Sequence, residues 1–594
     1  MRLPKSRALR IVFALLLVVV VVPALAMAYF QTLDSPRGVG SAAELSVPQP
    51  SERPAGMGAG LQLASFTQAG PSDGPGIEVN PNPHRMGDAA AGREVFRFET
   101  FGNEGFWTDA LRWLRGVREA RVTPLKVLAA GMLIDQERVE PALLARLAAE
   151  ARTDLSPRQA PLLNDPATLL RLIEMNALVG VPAKDSNGDG RISLAGGDKA
   201  GVSCAICHTV SDGAVLEVNK RGGIGKITDG PAALVFDMGQ FLAWGANTKA
   251  YYPNAQISYL GITIGRAPTG LTSYSSEADF DRYFTNKAWY PVGTFDETQD
   301  GIGNPVVNQP LFRQDLAAPW SSSAEFRFLD NISNGSYTQN LDPTILVTRD
   351  GRAFAKEVAG PLGMMMASGY ARVLRTTGVT GFPFVQAAVG GTIGTDESQV
   401  RRRVDDRKLF AMSAYISRLP APRGASVDPA MFARGREIFR ANCTACHNVD
   451  QSKPVPPLIV GLKQLWPGYR PIVLMPRTKK LGPVQNSPGI YDDKLIVADA
   501  TKRGDPKGIP MPLLLDLARK PLFLHDASVR GLDSLLNPRR GGREPHPFYI
   551  AEPGNRADLI AFLRGLDTTT APSAAGASAA LSSSMQRRPS RPAT

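Results

Sequence analysis

The sequence predicts a mainly α protein with two helical domains, separated by long irregular insertions and containing minor β structure. Three observations support this prediction. The chain has 594 residues, which is enough for two or three domains. Its four cysteines form two copies of one short pattern, in residues 204–208 and 443–447, that is typical of a helical turn. An apolar repeat at helical spacing also covers residues 557–566.

Residues 1–26 predict export from the cytoplasm. The first ten residues carry four cations and no acid, and residues 11–30 are almost entirely apolar. Small residues at 24–26 supply a cleavage site, so the layout is that of a secretory signal peptide. The alternative is an uncleaved anchor, because about 20 apolar residues can span a bilayer. We expect a periplasmic or secreted protein, anchored in the inner membrane only if this segment is retained.

Two further segments differ in composition from the folded body. Residues 27–87 are rich in Pro, Gly and Ser and predict a flexible linker, while residues 568–594 predict a disordered tail. The net charge of +12 falls to about +5 without the cations of the first ten residues and of the tail. The body has no dense stripe of Lys and Arg, so nucleic acid is not an expected partner.

Both copies of the cysteine pattern read C-x-x-C-H, which predicts two covalent haem c groups. Cysteines three residues apart on a helical turn project from one side and can form thioethers with the two haem vinyl groups, while the next histidine reaches the iron. A redox dithiol and half of a zinc site are the alternatives for C-x-x-C. Neither explains the histidine in both copies. The predicted attachment and iron-binding residues are Cys204, Cys207, His208, Cys443, Cys446 and His447.

These motifs predict an N-terminal haem domain with insertions at residues 88–424 and a C-terminal cytochrome c domain at 425–567. In the second domain, Gly435, Phe439 and Cys443 recur every four residues on one face of a helix that leads into the motif. The apolar repeat near the C-terminus would close this small fold. Together they complete the expected fold class, two cytochrome c-like domains.

The surroundings of the first motif are less regular. Helical periodicity over residues 169–179 is separated from the motif by a glycine-rich loop. Residues 250–350 are rich in Gly, Asn, Pro, Tyr and Thr and predict short strands or long loops.

The glycine-rich loop matches the first half of an EF-hand calcium loop. Oxygen ligands occupy positions one, three and five, and glycine occupies position six. Gly196 stands at position twelve, where an acid is expected, and Asp198 could substitute for it. An ordinary Asx/Gly turn is the alternative. The candidate calcium ligands are Asp185, Asn187, Asp189 and Arg191.

Few histidines remain to cap the second iron. His546 precedes the closing helix, where cytochrome c folds commonly present the sixth ligand, so we expect two histidine ligands at the second haem. His525 follows an apolar run and could instead hydrogen-bond a haem propionate or serve as a buried structural histidine. His84 lies in the predicted linker and is expected to be solvated. Met475 and Met511 are the fallback ligands.

The first iron has no local histidine for its distal face, since none occurs between His208 and His447. Unless Met238 or a methionine of residues 364–366 binds it, that iron is five-coordinate or water-ligated. An open position can bind peroxide or oxygen, whereas a closed one mainly shuttles electrons.

Aromatic side chains between the motifs could relay electrons between the haems, although core packing is the alternative interpretation. The candidates are Trp244, Trp289, Trp320, Tyr251 and Tyr252.

The chain resembles the bacterial di-haem cytochrome c peroxidase superfamily, specifically its long members related to rubber oxygenases. The resemblance rests on the paired motifs, on residues 410–422 and on residues 521–535. The last of these is similar to the family signature Pro-Phe-x-His-[Asp/Asn]-Gly-Ser-Val-x-Thr-Leu. Residues 92–102 also look like long di-haem proteins of this group.

The resemblance implies a reactive, high-spin N-terminal haem and a low-spin C-terminal haem that stores or relays electrons. It places the signature histidine at His525 and the distal ligand of the second haem at His546. The chain departs from the pattern at Ala527, where the signature has glycine. It also lacks the distal histidine that the peroxidases carry shortly after the first motif.

These features predict an exported di-haem c-type cytochrome oxidoreductase. Peroxide or dioxygen would react at the N-terminal haem, and the C-terminal haem would relay electrons. The expected partners are a periplasmic electron donor or acceptor protein and a small oxidant or organic substrate. The alternative is a non-catalytic periplasmic electron-transfer cytochrome with both irons six-coordinate. No catalytic side chain is assigned from the sequence.

Overall fold

A computed structural model of the chain describes residues 87–570 with internal gaps, and all of these residues belong to the same structural unit. The gaps are residues 260–261, 264, 298, 300, 318–319, 321–325, 327–328, 390–399, 445, 448, 453–458, 462–471, 474–483, 486–507, 525 and 543. The predicted signal peptide or anchor, all of the predicted linker except Gly87, and most of the predicted tail lie outside the described residues.

Helix predominates over strand in the described part of the chain, which confirms the mainly α prediction. None of the described helices combines the length and the apolar character that crossing a membrane requires. The α-helices are α1 (Ala89–Phe98), α2 (Trp113–Glu119), α3 (Pro124–Ala129), α4 (Pro141–Glu150), α5 (Pro166–Glu174), α6 (Met238–Ala243), α7 (Glu277–Thr285), α8 (Leu329–Gly335), α9 (Arg349–Thr376), α10 (Asp406–Arg418), α11 (Pro429–Asn442), α12 (Leu532–Leu536) and α13 (Pro553–Gly565).

Short segments of 3-10 or π helix connect several of these elements. They are Phe106–Ala110, Gln136–Arg138, Cys204–Ile206, Thr248–Asn254, Gln314–Leu316, Ser336–Asn340, Pro343–Val347 and Pro538–Arg540.

The strands are short and form small sheets. Parallel pairing joins β1 to β6, and β5 adds to β6 in the antiparallel sense; the other pairs are antiparallel. The strands are β1 (Leu133–Asp135), β2 (Ala183–Lys184), β3 (Lys199–Ala200), β4 (Thr209–Ser211), β5 (Leu216–Val218), β6 (Gly222–Gly225), β7 (Ile227–Asp229), β8 (Ser258–Tyr259), β9 (Ile262–Thr263), β10 (Thr294–Phe295), β11 (Val306–Val307), β12 (Ala388–Val389), β13 (Arg402–Arg403), β14 (Ile459–Gly461), β15 (Ile472–Val473), β16 (Val484–Gln485), β17 (Gly508–Pro510), β18 (Leu522–Phe523) and β19 (Val529–Arg530). The pairs are β2–β3, β4–β7, β8–β9, β10–β11, β12–β13, β14–β17, β15–β16 and β18–β19.

Acidic residues begin the helices that frame the two motifs. The side chain of Asp88 accepts from the backbone N–H of Ala90 at the start of α1 (2.9 Å), and Asp428 does the same for Met431 at the start of α11 (2.8 Å). Such caps satisfy N–H groups that have no partner within the helix. Glu552 caps α13, which begins before the apolar repeat that predicts it and ends at Gly565.

The predicted helix at residues 169–179 ends earlier than its apolar periodicity suggests. The observed helix, α5, begins at Pro166 and ends at Glu174. Asn176 then has a φ of 53°, in the left-handed region that stops a helix.

Buried apolar side chains form two clusters. The first core extends along the chain from Val95 to Leu419 and also takes in Leu515. The second core is smaller and is built around Phe439, Leu559 and Phe562. Residues 250–350 contribute short strand pairs, as expected, but also the helices α7 and α8; Phe280, Tyr283 and Phe284 of α7 and Leu329 of α8 pack into the first core.

The two cores share one kind of helix crossing. At Gly435, α11 lies so close to α13 that an added Cβ would overlap the carbonyl oxygen of Asp558, and it would also contact the side chain of Phe562. At Gly92, α1 meets α10 in the same way, against the carbonyl oxygen of Ala411 and the side chain of Tyr415. In both pairs the two contacted residues are four apart, so the crossings have the same register.

Candidate functional site

The first motif lies at the C-terminal end of α1, although about one hundred residues separate them along the chain. The hydroxyl of Ser203, just before the motif, donates to the backbone carbonyl of Arg97 (2.7 Å). The side chain of Asn103 exchanges two hydrogen bonds with the backbone of Val202 (2.8 and 2.9 Å). These contacts place the motif where the second motif lies relative to α11.

A buried charge network ties α1 to α10 beside this motif. The Arg97 guanidinium pairs with Asp229 (2.8 Å) and Asp135 (3.1 Å), and the Tyr415 hydroxyl donates to Asp229 (2.6 Å). Asp229 pairs with Thr209, the residue after His208, in the β4–β7 ladder. The network therefore fixes the backbone next to the histidine.

His208 is oriented and kept neutral by its surroundings. Its Nδ1 lies 2.6 Å from the backbone carbonyl oxygen of Gln309. A carbonyl only accepts, so Nδ1 carries the proton and Nε2 keeps its lone pair. Burial lowers the pKa of His208 to about 4, which favours the neutral ring. A neutral imidazole oriented by a carbonyl is the form that binds a metal.

The cysteines of the first motif are free thiols in an apolar environment. Burial raises the pKa of Cys204 to about 11 and that of Cys207 to about 12. The Sγ atom of Cys204 lies 3.4 Å from the Tyr337 hydroxyl and 3.7 Å from the sulfur of Met412. Both thiols are therefore uncharged in these surroundings.

The second motif follows α11 directly. Cys443 caps the helix, and the backbone N–H groups of Cys446 and His447 both donate to its carbonyl (3.1 and 2.9 Å). Cys443, Cys446 and His447 therefore lie on one turn of the backbone. The side chain of His447 is half-buried, and this burial lowers its pKa to about 4.

His546 lies opposite His447, and its role as an iron ligand stays a prediction. The two ring centroids are 6.3 Å apart, with an angle of 54° between the ring planes. Two metal–nitrogen bonds of about 2.0 Å and two ring radii of about 1.1 Å would separate such centroids by about 6.2 Å. Nδ1 of both rings is buried without a hydrogen-bond partner among the described residues. The pair fits one metal ion held between two imidazoles.

The loop that carries His546 is held in a defined conformation. Its φ of 56° is left-handed, and the Arg540 guanidinium donates to the carbonyls of Pro545 (2.6 Å) and Leu535 (3.0 Å). The pKa of His546 is lowered to about 3 by burial and by the proximity of the His447 ring and the Arg540 guanidinium. The ring is therefore neutral under physiological conditions, as a metal ligand must be.

Besides the cysteine motifs, the sequence contains a second repeat, which those motifs alone do not reveal. Gly-Arg-Glu-Val-Phe-Arg at residues 92–97 recurs as Gly-Arg-Glu-Ile-Phe-Arg at 435–440, on α1 and α11. Ala-Tyr-Ile-x-x-Leu at 414–419 recurs as Ala-Phe-Leu-x-x-Leu at 561–566, on α10 and α13. Because both members of each crossing pair are repeated, the two cores are built on the same helix pair. The large insertion between α1 and the first motif obscures this similarity.

The repeat allows the two distal loops to be compared. His546 lies twelve residues before Asp558, the residue at the α11–α13 crossing. The same offset before Ala411 falls in residues 390–399, which lie outside the described residues, and the sequence has neither His nor Met between Met366 and Met412. The first motif therefore lacks a histidine or methionine at the position that His546 occupies in the second.

The other ligand candidates have varied locations. Met238 and Met366 are buried in the first core, Met364 and Met365 lie on α9, and Met511 is half-buried. The structure instead brings Met412 to Cys204, a contact that only the register of α10 could have revealed. His525, His84 and Met475 lie outside the described residues.

Aromatic side chains surround the first motif. Tyr251 is fully buried, and its pKa is raised by burial and by the nearby Cys207. Its ring lies 5.6 Å from that of Phe106 and 5.7 Å from that of Trp107, which sequence reasoning did not select. The remaining relay candidates, Tyr252, Trp244, Trp289 and Trp320, also pack in or against the first core. The electron-relay role stays a prediction.

The candidate calcium loop is a hydrogen-bonded turn. Asp185 accepts from the N–H groups of Gly188 (2.7 Å) and Gly190 (2.8 Å), while Asp189 accepts from that of Arg191 (2.9 Å). Asp198 is buried, and backbone N–H groups, first that of Ser193, lower its pKa.

The oxygens of this loop are thus engaged with backbone N–H groups, and Asn187 accepts from the N–H of Asp189 (2.9 Å) in the same manner. Within the described part of the chain, no three His, Cys, Asp or Glu side chains converge as a metal site would need. Calcium binding stays a prediction.

Comparison of the chain with protein-family models, with curated proteins and with solved structures finds no match. The functional assignment therefore depends on the geometry of the two motifs.

Proposed function

We propose that the chain is an exported di-haem c-type cytochrome oxidoreductase in which peroxide or dioxygen reacts at the first haem and the second haem relays electrons. The observation that carries this proposal is the unequal surroundings of the two motifs. His447 faces His546 at a centroid distance of 6.3 Å, and the first motif has no equivalent of His546.

Haem c fits the donor set of both motifs. Thioether bonds would form through Cys204 and Cys207 at the first motif and through Cys443 and Cys446 at the second. His208, His447 and His546 are neutral imidazoles suited to iron. When bound, haem iron supplies one-electron and oxygen chemistry.

The residues at the second motif favour electron transfer alone. His447 and His546 would together hold the iron of a bound haem, and the Arg540 contacts keep the His546 loop in place. A fixed ligand pair needs little rearrangement between oxidation states and excludes small oxidants.

The residues at the first motif favour reaction with a small molecule. His208 donates to Gln309 and so increases the basicity of its own Nε2. Tyr337, Met412 and Tyr251 enclose the cysteines in an apolar and aromatic environment that limits water. The sequence interval that would correspond to the His546 loop, residues 367–411, contains neither histidine nor methionine.

The test is the spin state of each iron in the holoprotein, from optical and electron paramagnetic resonance spectra. We expect two haems per chain, one high-spin and one low-spin with two histidine ligands. In His546→Ala the low-spin signal should disappear while the haem content stays unchanged. His84→Ala, which removes a histidine from the predicted linker, is the matched control and should leave both signals intact.

Each alternative result has a distinct meaning. Two low-spin haems in the wild-type protein would favour the non-catalytic electron carrier. Spectra of His546→Ala that match the wild type would reject His546 as a ligand. A protein without covalent haem, exported through the normal route, would refute the proposal as a whole.

A further inference from the structure

Residues 511–517 pack against both cores, and we call them the bridging segment. Leu513 and Leu515 pack in or against the first core, whereas Leu514 and Leu517 pack in or against the second. The core that is contacted therefore alternates from residue 513 to residue 515. The backbone N–H of Leu514 also donates to the Gln451 side chain (3.2 Å). The segment therefore joins the two cores through apolar contact.

A buried ion pair lies a short distance further along the chain. The guanidinium of Arg266 lies 3.1 Å from the carboxylate of Asp526 and donates to the backbone carbonyl of the same residue (2.9 Å). Both side chains are largely buried, with exposed fractions of 13% and 2%. Arg266 comes from the part of the chain that builds the first core, and Asp526 from the β18–β19 hairpin, whose Phe523 and Val529 pack in the second. The pair therefore connects the same two cores as the bridging segment.

Both partners are held in place by their own neighbours. The Gln256 side chain exchanges two hydrogen bonds with the backbone of Ala267 (2.7 and 2.9 Å), which fixes the residue next to Arg266. On the other side, Asp526 accepts from the N–H of Ser528 (3.1 Å). Side chains that are already held in place lose little conformational freedom when they pair. The Arg266–Asp526 pair is therefore suited to fixing the position of the second core relative to the first.

We propose that Arg266 is a positioning residue that fixes the second core against the first through Asp526, and thereby sets the rate at which electrons pass between the two motifs. This inference rests on the proposed function for its electron-transfer part. Removing one partner of a buried pair leaves an uncompensated charge, so the contact should be disrupted rather than merely weakened. The bridging segment would then hold the cores by apolar packing alone.

The experiment compares Arg266→Met and Asp526→Asn with the wild-type holoprotein. Hydrogen exchange should become faster in peptides of α11 and α13 and stay unchanged in α1 and α10. The electron transfer rate from the second site to the first, measured after rapid reduction, should fall by about twofold to thirtyfold, the range expected for a contact that couples two sites. The spin states of both irons should not change.

Arg403→Met is the matched control, because Arg403 forms a similarly buried pair with Asp330 within the first core. It should accelerate exchange in the first core without affecting the electron transfer rate between the sites.

Unchanged exchange in α11 and α13 and an unchanged rate in Arg266→Met would overturn the inference, even with both haems present. So would an equal fall in that rate in Arg403→Met. Failure of the proposed function is distinguishable, since it would be seen in the wild-type spectra before any variant is compared.

Discussion

Ala527 has a φ of 61°, a left-handed conformation that is unfavourable for residues with a Cβ atom. Glycine adopts this conformation without that cost. Leu524, three residues earlier, has a φ of 63°. The turn between β18 and β19 thus contains two left-handed residues that are not glycine.

Replacing Ala527 with glycine should stabilise the protein. Relief of the left-handed conformation contributes roughly 1–2 kcal/mol, and the greater freedom of glycine in the unfolded chain offsets about 0.4–1 kcal/mol of it. We expect a net gain of up to about 1 kcal/mol in the free energy of unfolding, measured by denaturant titration. Ala561→Gly, in the middle of α13, should instead destabilise by about 1 kcal/mol. A loss of stability in Ala527→Gly would contradict this account of the turn.

Single residues also show where sequence reasoning succeeds. The position of His546 before a closing helix suggested that it lies near His447, because cytochrome c folds commonly present a ligand from that loop. The contact of Met412 with Cys204 and the carbonyl that orients His208 could not be predicted. Both depend on which distant segments pack together, and a motif contains no information about that.

At the scale of elements, the two helix pairs carry most of the architecture. Their glycines allow backbones to approach closely, and an aromatic side chain one turn later packs across each crossing: Phe96 against Tyr415 at 5.7 Å, and Phe439 against Phe562 at 5.2 Å. The helix at α11 and the closing helix were predictable from periodicity and caps. The partnership of α1 with α10 was not, because a long insertion separates them.

Substituting alanine for Gly92 or for Gly435 should disrupt one crossing each. The added methyl group would overlap a carbonyl oxygen of the partner helix in both cases, and overpacking of this kind destabilises by about 1–3 kcal/mol or more. Gly435→Ala should weaken the low-spin signal of the second site, and Gly92→Ala should perturb the first. Gly542→Ala, where an added Cβ meets nothing, is the control and should be neutral. Equal effects of both variants on both sites would argue against two independent crossings.

At the scale of the whole molecule, charge is distributed unequally. Residues 88–424 contain 36 Lys and Arg and 36 Asp and Glu, whereas residues 425–567 contain 21 and 14. The net charge of the folded body therefore resides almost entirely in the C-terminal part, which includes the second motif. Such an excess attracts an acidic protein over a distance limited by salt.

An acidic electron-transfer protein should accordingly exchange electrons with the second site faster at low ionic strength. The measurement is the second-order rate constant in stopped-flow mixing between about 0.01 and 0.15 M salt, with a basic cytochrome as the control donor. The rate for the acidic donor should fall as salt is added, and the rate for the basic donor should rise. A rate for the acidic donor that does not depend on salt would contradict this expectation.

The whole-molecule organisation was predictable in outline. Two cysteine motifs and a helical bias indicated two helical centres, because each motif requires a helix and a ligand loop nearby. The size of the first core was not predictable, since short strands and 3-10 turns in residues 99–405 have little periodicity of their own. Their packing depends on aromatic contacts that are distant in sequence.

The position of the first motif at the end of α1, far from it in sequence, has a consequence for the order in which the chain folds. Residues 99–405 lie between α1 and its partner α10, whereas residues 443–552 lie between α11 and α13. Closing the longer loop has the larger entropic barrier, and contacts that are distant in sequence form slowly. Residues 425–567, although synthesised last, should therefore fold first. Residues 88–424 should fold more slowly and pack against a C-terminal part that is already folded.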